Sequence, residues 1–117
     1  MPFLLLNTNL PQSKVPDDFL SSTTKFISRT LNKPEKSIWI HLVTDQKFIS
    51  QGGNTDPCIY GQIKSISRFN WEANRPFALA LTEHLFNSLG VPEDKIAIEY
   101  YDVQPTHMSV SGKLVAS

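Results

Sequence analysis

The amino-acid sequence predicts an α/β fold in which two tandem β-α-β units form one four-stranded mixed sheet with two helices on one face. Three observations carry this expectation. Phe3-Leu4-Leu5-Leu6 follows Pro2 with no polar alternation, the pattern of a strand buried on both faces. The second half repeats the first at a shift of 58 residues: Phe77 answers Phe19, Leu89 answers Leu31, Pro92-Glu93 answers Pro34-Glu35 and Ile96-x-Ile98 answers Ile38-x-Ile40. No third long helical segment exists to cover the sheet's second face, so another copy of the chain is its simplest cover.

Taken in order, residues 3–6 open the first strand and the Asn, Pro and Ser of residues 7–16 make a loop. Asp17-Asp18 suits the positive end of a helix dipole. Phe19, Leu20, Thr23, Phe26, Ile27 and Leu31 then recur at helical spacing. Asn32 occupies the position for a left-handed cap and Pro34 prevents continuation. Residues 38–43 are β-branched and aromatic enough for a second strand. In the second unit, residues 57–67 supply a strand, 73–89 a helix ended by Gly90, and 95–101 a further strand. Gln51-Gly52-Gly53-Asn54 is a turn between the units, and Pro76 belongs in the helix's first turns because it would break the interior. Met108 to Val110 and Leu114 to Val115, separated by Ser111-Gly112, are short strands able to pair with a neighbour's sheet edge. Residues 1–117 are thus one domain, with units at about 1–50 and 57–102 and short C-terminal strands within 106–115.

Composition excludes several functions. Eleven basic residues balance 11 acidic ones with no long run of either sign, which leaves no footprint for nucleic acid or an anionic membrane. The opening apolar run is too short for a membrane span and lacks the flanks of a secretory signal. A cytoplasmic location is expected, and secretion would need an unconventional route. Cys58 is the sole cysteine, which rules out an internal disulfide and suits a buried structural thiol. His41, His84 and His107 fall in separate segments without metal-ligand spacing, so neither a metal nor a cofactor is expected.

Chemistry concentrates at the start. If the initiator is removed, Pro2 acquires a free secondary amine, and an apolar wall beside it would lower its pKa toward that of a general base near neutral pH. The same residues also suit an ordinary buried strand, for which proline is a common first residue.

Several short segments add a resemblance that covers nearly the whole chain. They are Met1-Pro2-Phe3 with Asn7-Thr8-Asn9, Val15-Pro16-Asp17, Asn32-Lys33-Pro34, Gly52-Gly53 with Asp56-Pro57-Cys58, Ser65-Ile66, Asn74-Arg75 and Tyr100-Tyr101-Asp102. In this order and spacing they resemble the macrophage migration inhibitory factor family, which includes D-dopachrome tautomerase, within the tautomerase superfamily. The resemblance implies a homotrimer whose three sheets form an inner barrel. It implies a keto–enol tautomerase for phenylpyruvate-like or dopachrome-like substrates, with a cytokine-like role or a cell-surface receptor as the other reading. It matches Pro2 to the catalytic base, Lys33 to the active-site lysine, and Ser65-Ile66 to the strand whose backbone N–H helps hold the substrate. Glu99, reaching the pocket from a neighbouring subunit, and Met108 complete the implied substrate-binding set. Departures are concentrated in the pocket: Ala97 and Glu99 stand where the mammalian factor has tyrosine and asparagine, Ser37 replaces a tyrosine, and Val110 a tryptophan. Gly61 replaces the second cysteine of the family's redox motif, so thiol-oxidoreductase activity is not expected.

Overall fold

The computed structural model describes residues 1–47, 51–66 and 69–115. Strands β1 (Phe3–Thr8) and β3 (Ile59–Ile66) run antiparallel in the middle of a four-stranded sheet. β2 (Trp39–Val43) lies parallel to β1 at one edge, and β4 (Ile96–Val103) parallel to β3 at the other. Each parallel pair needs a crossover, and α1 (Phe19–Leu31) and α2 (Trp71–Leu89) supply the two. The expected mixed sheet with both helices on one face is therefore the fold. Ser67, predicted as the last residue of the third strand, and residues 48–50 of the first unit lie outside the described residues.

The core fills the space between sheet and helices. Leu4, Leu6, Ile59 and Ile63 rise from the sheet to meet Phe19 and Ile27 of α1 and Leu81 and Leu85 of α2, all at most 2 % exposed. In β1, Leu4, Leu6 and Thr8 are buried against the helices, while Phe3, Leu5 and Asn7 are half-buried on the opposite face, the one expected to be covered by another copy. The pleat turns alternate residues away from the helices, and none of the described elements covers that side.

The helix ends obey local chemistry. Asn32 adopts a left-handed conformation (φ 53°, ψ 55°) and ends α1, and Gly90 (φ 72°) does the same for α2. α2 begins two residues earlier than expected because the Asn70 side chain caps it, accepting from the Ala73 N–H at 2.9 Å. Pro76 lies in its second turn, where the missing N–H removes the intrahelical bond to the Glu72 carbonyl. The C-terminal strands β5 (Ser109–Val110) and β6 (Lys113–Leu114) pair with each other in an antiparallel hairpin. Their two-residue turn, Ser111-Gly112, has positive φ at both positions (56° and 77°), the geometry that matches strand twist.

One polar contact joins the two helices. The hydroxyl of fully buried Thr23 meets His84 Nε2 at 2.9 Å, and the imidazole stacks on Phe26 with centroids 4.5 Å apart. Burial, aided by the Arg29 charge, lowers the His84 pKa from its ordinary value of 6.5. A depressed folded-state pKa means that the unfolded chain takes up the proton first. The stability gained from neutral His84 is therefore complete above that ordinary value and is lost as pH falls through the folded one. Between about pH 7 and pH 5 the melting temperature should drop more steeply in the wild type than in His84→Gln, which keeps a partner for Thr23 without a titrating ring. Parallel melting curves for the two proteins over that range would contradict this account.

Candidate active site at the proline end of the sheet

The connectivity gathers most of the implied site residues at one end. β1 leaves that end, α1 returns to it and β2 starts from it; antiparallel β3 finishes there, α2 starts there and β4 finishes there. Pro2, Lys33 and Ser65-Ile66 all fall on this end of the layer.

Pro2 immediately precedes β1 and is fully buried. Its carbonyl accepts from the Trp39 N–H at 3.0 Å, which ties the start of the chain to the start of β2. Lys33 is half-buried and follows the left-handed Asn32. Its N–H donates to the Ser28 carbonyl at 3.1 Å and its own carbonyl accepts from the Ser28 hydroxyl at 2.5 Å. The lysine backbone is thus clamped to the last turn of α1, which leaves only the flexible stem to aim the ammonium.

Ser65 is paired with Asp102 and Ile66 with Val103, so β3 is held up to its last residue. Ser65 is 0 % exposed, yet its hydroxyl has no hydrogen-bond partner. Asn74 Oδ1, on the core-facing stripe of α2 with Phe77 and Leu81, is the other buried side-chain atom in that condition among the described residues. Met108 is half-buried at the base of the C-terminal hairpin, where its carbonyl accepts from the Val115 N–H at 2.9 Å.

Glu99 is placed apart from the others. It pairs with Gln62 in mid-sheet, about 10 Å along β3 from Ser65. It faces the open side, where its carboxylate accepts from the Tyr60 hydroxyl and from Gln62 Nε2 at 3.2 Å. The Tyr60 hydrogen bond above all holds this carboxyl below its ordinary pKa. Lys64 Nζ lies 5.6 Å from the Tyr101 ring centroid and completes the cluster. Sequence reasoning gives Tyr60, Gln62 and Tyr101 no role. Their alternation on two strands marks one face, but only the β3–β4 register puts them around Glu99. The buried Ser65 hydroxyl, as distinct from its backbone, is equally invisible there.

Cys58 is buried and free, and burial pushes its thiol pKa up, against a smaller opposite effect of Lys95. An ideal Cβ at Gly61 would stand 2.8 Å from Leu6 Cδ2 and 2.9 Å from the Leu5 carbonyl oxygen, so the β1–β3 packing leaves no room for a side chain.

The architecture defines a class: a two-layer α/β protein with two parallel strand pairs joined antiparallel, and a buried proline opening the central strand. A sequence model of macrophage migration inhibitory factor matches residues 1–116. The macrophage migration inhibitory factor homolog of Trichinella spiralis is 35% identical over 112 residues, spanning 96% of this chain and 97% of that protein. Macrophage migration inhibitory factor of Mus musculus is 33% identical over 116 residues, spanning 99% of this chain and all of that protein. The solved structure of the Trichinella spiralis factor superposes with a TM-score of 0.92 at 33% identity, covering 96% of this chain and 98% of that one. The chain belongs to the macrophage migration inhibitory factor family.

Position 61 gives a test of the family's redox motif in this chain. Gly61→Cys should lower stability by about 1–3 kcal/mol through overpacking against Leu6 and the β1 backbone. Insulin reduction should stay at background in the same variant. Unchanged thermal unfolding in reductant, or clear reductase activity, would show that β1 and β3 yield more easily than their packing implies.

Proposed function

We propose that this chain is a keto–enol tautomerase acting on phenylpyruvate-like or dopachrome-like compounds, with Pro2 as the general base once Met1 is removed. The observation that carries the reading is a fully buried Pro2 at the sheet end that also holds Lys33 and Ser65-Ile66. In the reaction the Pro2 amine takes a proton from the carbon beside the ketone, and the enolate oxygen gains one, so no oxidant or reductant is needed. Lys33 and the N–H groups of the Ser65-Ile66 segment stabilise the carboxylate and the developing oxyanion. Glu99 and Met108 line the substrate's far side if a neighbouring subunit completes the pocket.

A homotrimer of one-domain chains, each built from two repeated units, is part of the same proposal. Its support is the open sheet face, where Phe3 and Trp39 stack with centroids 5.5 Å apart, Trp39 is 54% exposed, and a groove of about 430 Å³ runs between Phe3, Leu5, Trp39 and His41. Each large apolar side chain covered there stabilises assembly by about 1.5–3 kcal/mol. No described helix is long and apolar enough to cross a membrane. We assign the protein to the cytoplasm, with unconventional secretion and a cell-surface receptor as the cytokine-like role that membership of the family supports.

Two measurements test the proposal. Phenylpyruvate turnover should scale with the Met1-free fraction given by intact mass, because an amide nitrogen has no useful basicity. Pro2→Gly in fully processed protein should lower kcat/KM by about a hundredfold or more. Equal rates for processed and Met1-retaining protein would remove Pro2 from the role of base. Light scattering at micromolar concentration should give a trimer mass, and a monodisperse monomer would refute the assembly.

A further inference from the structure

We propose that the Ser65 hydroxyl accepts a hydrogen bond from the Pro2 amine after Met1 is removed, and so sets the basicity and aim of that amine. Ser65 is a positioning residue in this account, acting through Pro2. Its catalytic consequence rests on the tautomerase reading.

The register is the first support. β1 and β3 pair Phe3 with Lys64 and Leu4 with Ile63, so one step further along the antiparallel ladder Pro2 stands opposite Ser65. The Pro2 carbonyl is already engaged by the Trp39 N–H, which turns the main-chain polar groups of Pro2 toward β2. Toward β3, Pro2 and Ser65 then form the non-hydrogen-bonded kind of pair, whose Cα atoms lie about 4.5 Å apart and whose side chains come closest. Both side chains belong to the buried series of their strands, Pro2 with Leu4 and Leu6, Ser65 with Ile63 and Gly61.

The orphaned hydroxyl is the second support. A buried polar group without a partner is costly, and native proteins keep few of them. While Met1 is attached, the Pro2 nitrogen is a tertiary amide with no proton to give, so the side chain facing it finds no donor there. Cleavage of the Met1–Pro2 bond turns that nitrogen into a tetrahedral secondary amine, whose new N–H is no longer confined to an amide plane and can turn to the buried face that Pro2 shares with Ser65. The unsatisfied oxygen of the precursor is an acceptor held ready for the processed terminus.

Charge balance gives the bond a purpose. Burial alone would depress the amine's pKa and make it a progressively weaker base. An acceptor favours the protonated form and holds the pKa up, nearer the pH at which the amine must both take and return a proton.

The test is an NMR titration of Pro2 in proline-labelled protein, with complete removal of Met1 verified by intact mass. Ser65→Ala should lower the Pro2 midpoint by about one pH unit, the size expected for one hydrogen bond to a charged group. Ser65→Cys, which keeps the volume with a much weaker acceptor, should shift it in the same direction, and Ser65→Thr should restore it. The acid limb of kcat/KM for phenylpyruvate should move with the midpoint. A Pro2 midpoint that stays fixed or rises in both Ser65→Ala and Ser65→Cys overturns the inference, even if KM changes. The titration needs no turnover, so failure to tautomerise phenylpyruvate would count against the proposed function and leave this result to be read separately.

Discussion

The antiparallel ladder between β1 and β3 is the constraint on which the rest of the molecule depends. Each β-α-β unit could satisfy its own parallel pairing, but only the ladder brings the start of one unit against the end of the other. Its register is fixed by burial. A slip of one residue in β3 would turn Ile59 and Ile63 to the open face and drive Gln62 and Lys64 into the core. Gly61 reinforces this choice, because β1 approaches it so closely that the pairing tolerates nothing larger at that point. The same register decides which side chain faces Pro2.

Helix termination does the complementary work of placing Lys33. Asn32 takes a strained left-handed conformation that Gly90 adopts freely at the corresponding place in the second unit. Beyond the cap the two units nevertheless diverge. After Asn32, Ser28 grips the chain twice, so the segment entering β2 leaves α1 in a defined direction. Rigidity at that end of the sheet therefore comes from backbone hydrogen bonding, and not from packing alone.

Most of the architecture was legible because it is written in local chemistry. The apolar run after Pro2, the helical spacing from Phe19 to Leu31, and Asn32 and Gly90 at the caps each specify their own element. The 58-residue shift anticipates two successive β-α-β segments, which β1-α1-β2 and β3-α2-β4 supply. The early start of α2 depends on the Asn70 cap on the Ala73 N–H, which apolar spacing alone does not signal. What stayed hidden depends on pairing between distant segments. Glu99 could be given a pocket role from its position in a family, but not its two donors, since Tyr60 and Gln62 lie nearly 40 residues away and reach it only through the β3–β4 register. The buried condition of the Ser65 hydroxyl likewise has no signature in a strand that reads Ile-x-Ser-Ile.

The cluster on the open face carries a consequence for how that face can be covered. A bare carboxylate resists removal from water because its lone pairs lose their donors and its charge loses its solvent. Glu99 already draws donors from Tyr60 and Gln62 of its own chain, which can replace part of its hydration when a neighbour covers it. A surface laid over it need bring no matching cation. Shape and apolar area at Phe3 and Trp39, toward the opposite edge of the sheet, can then select the partner.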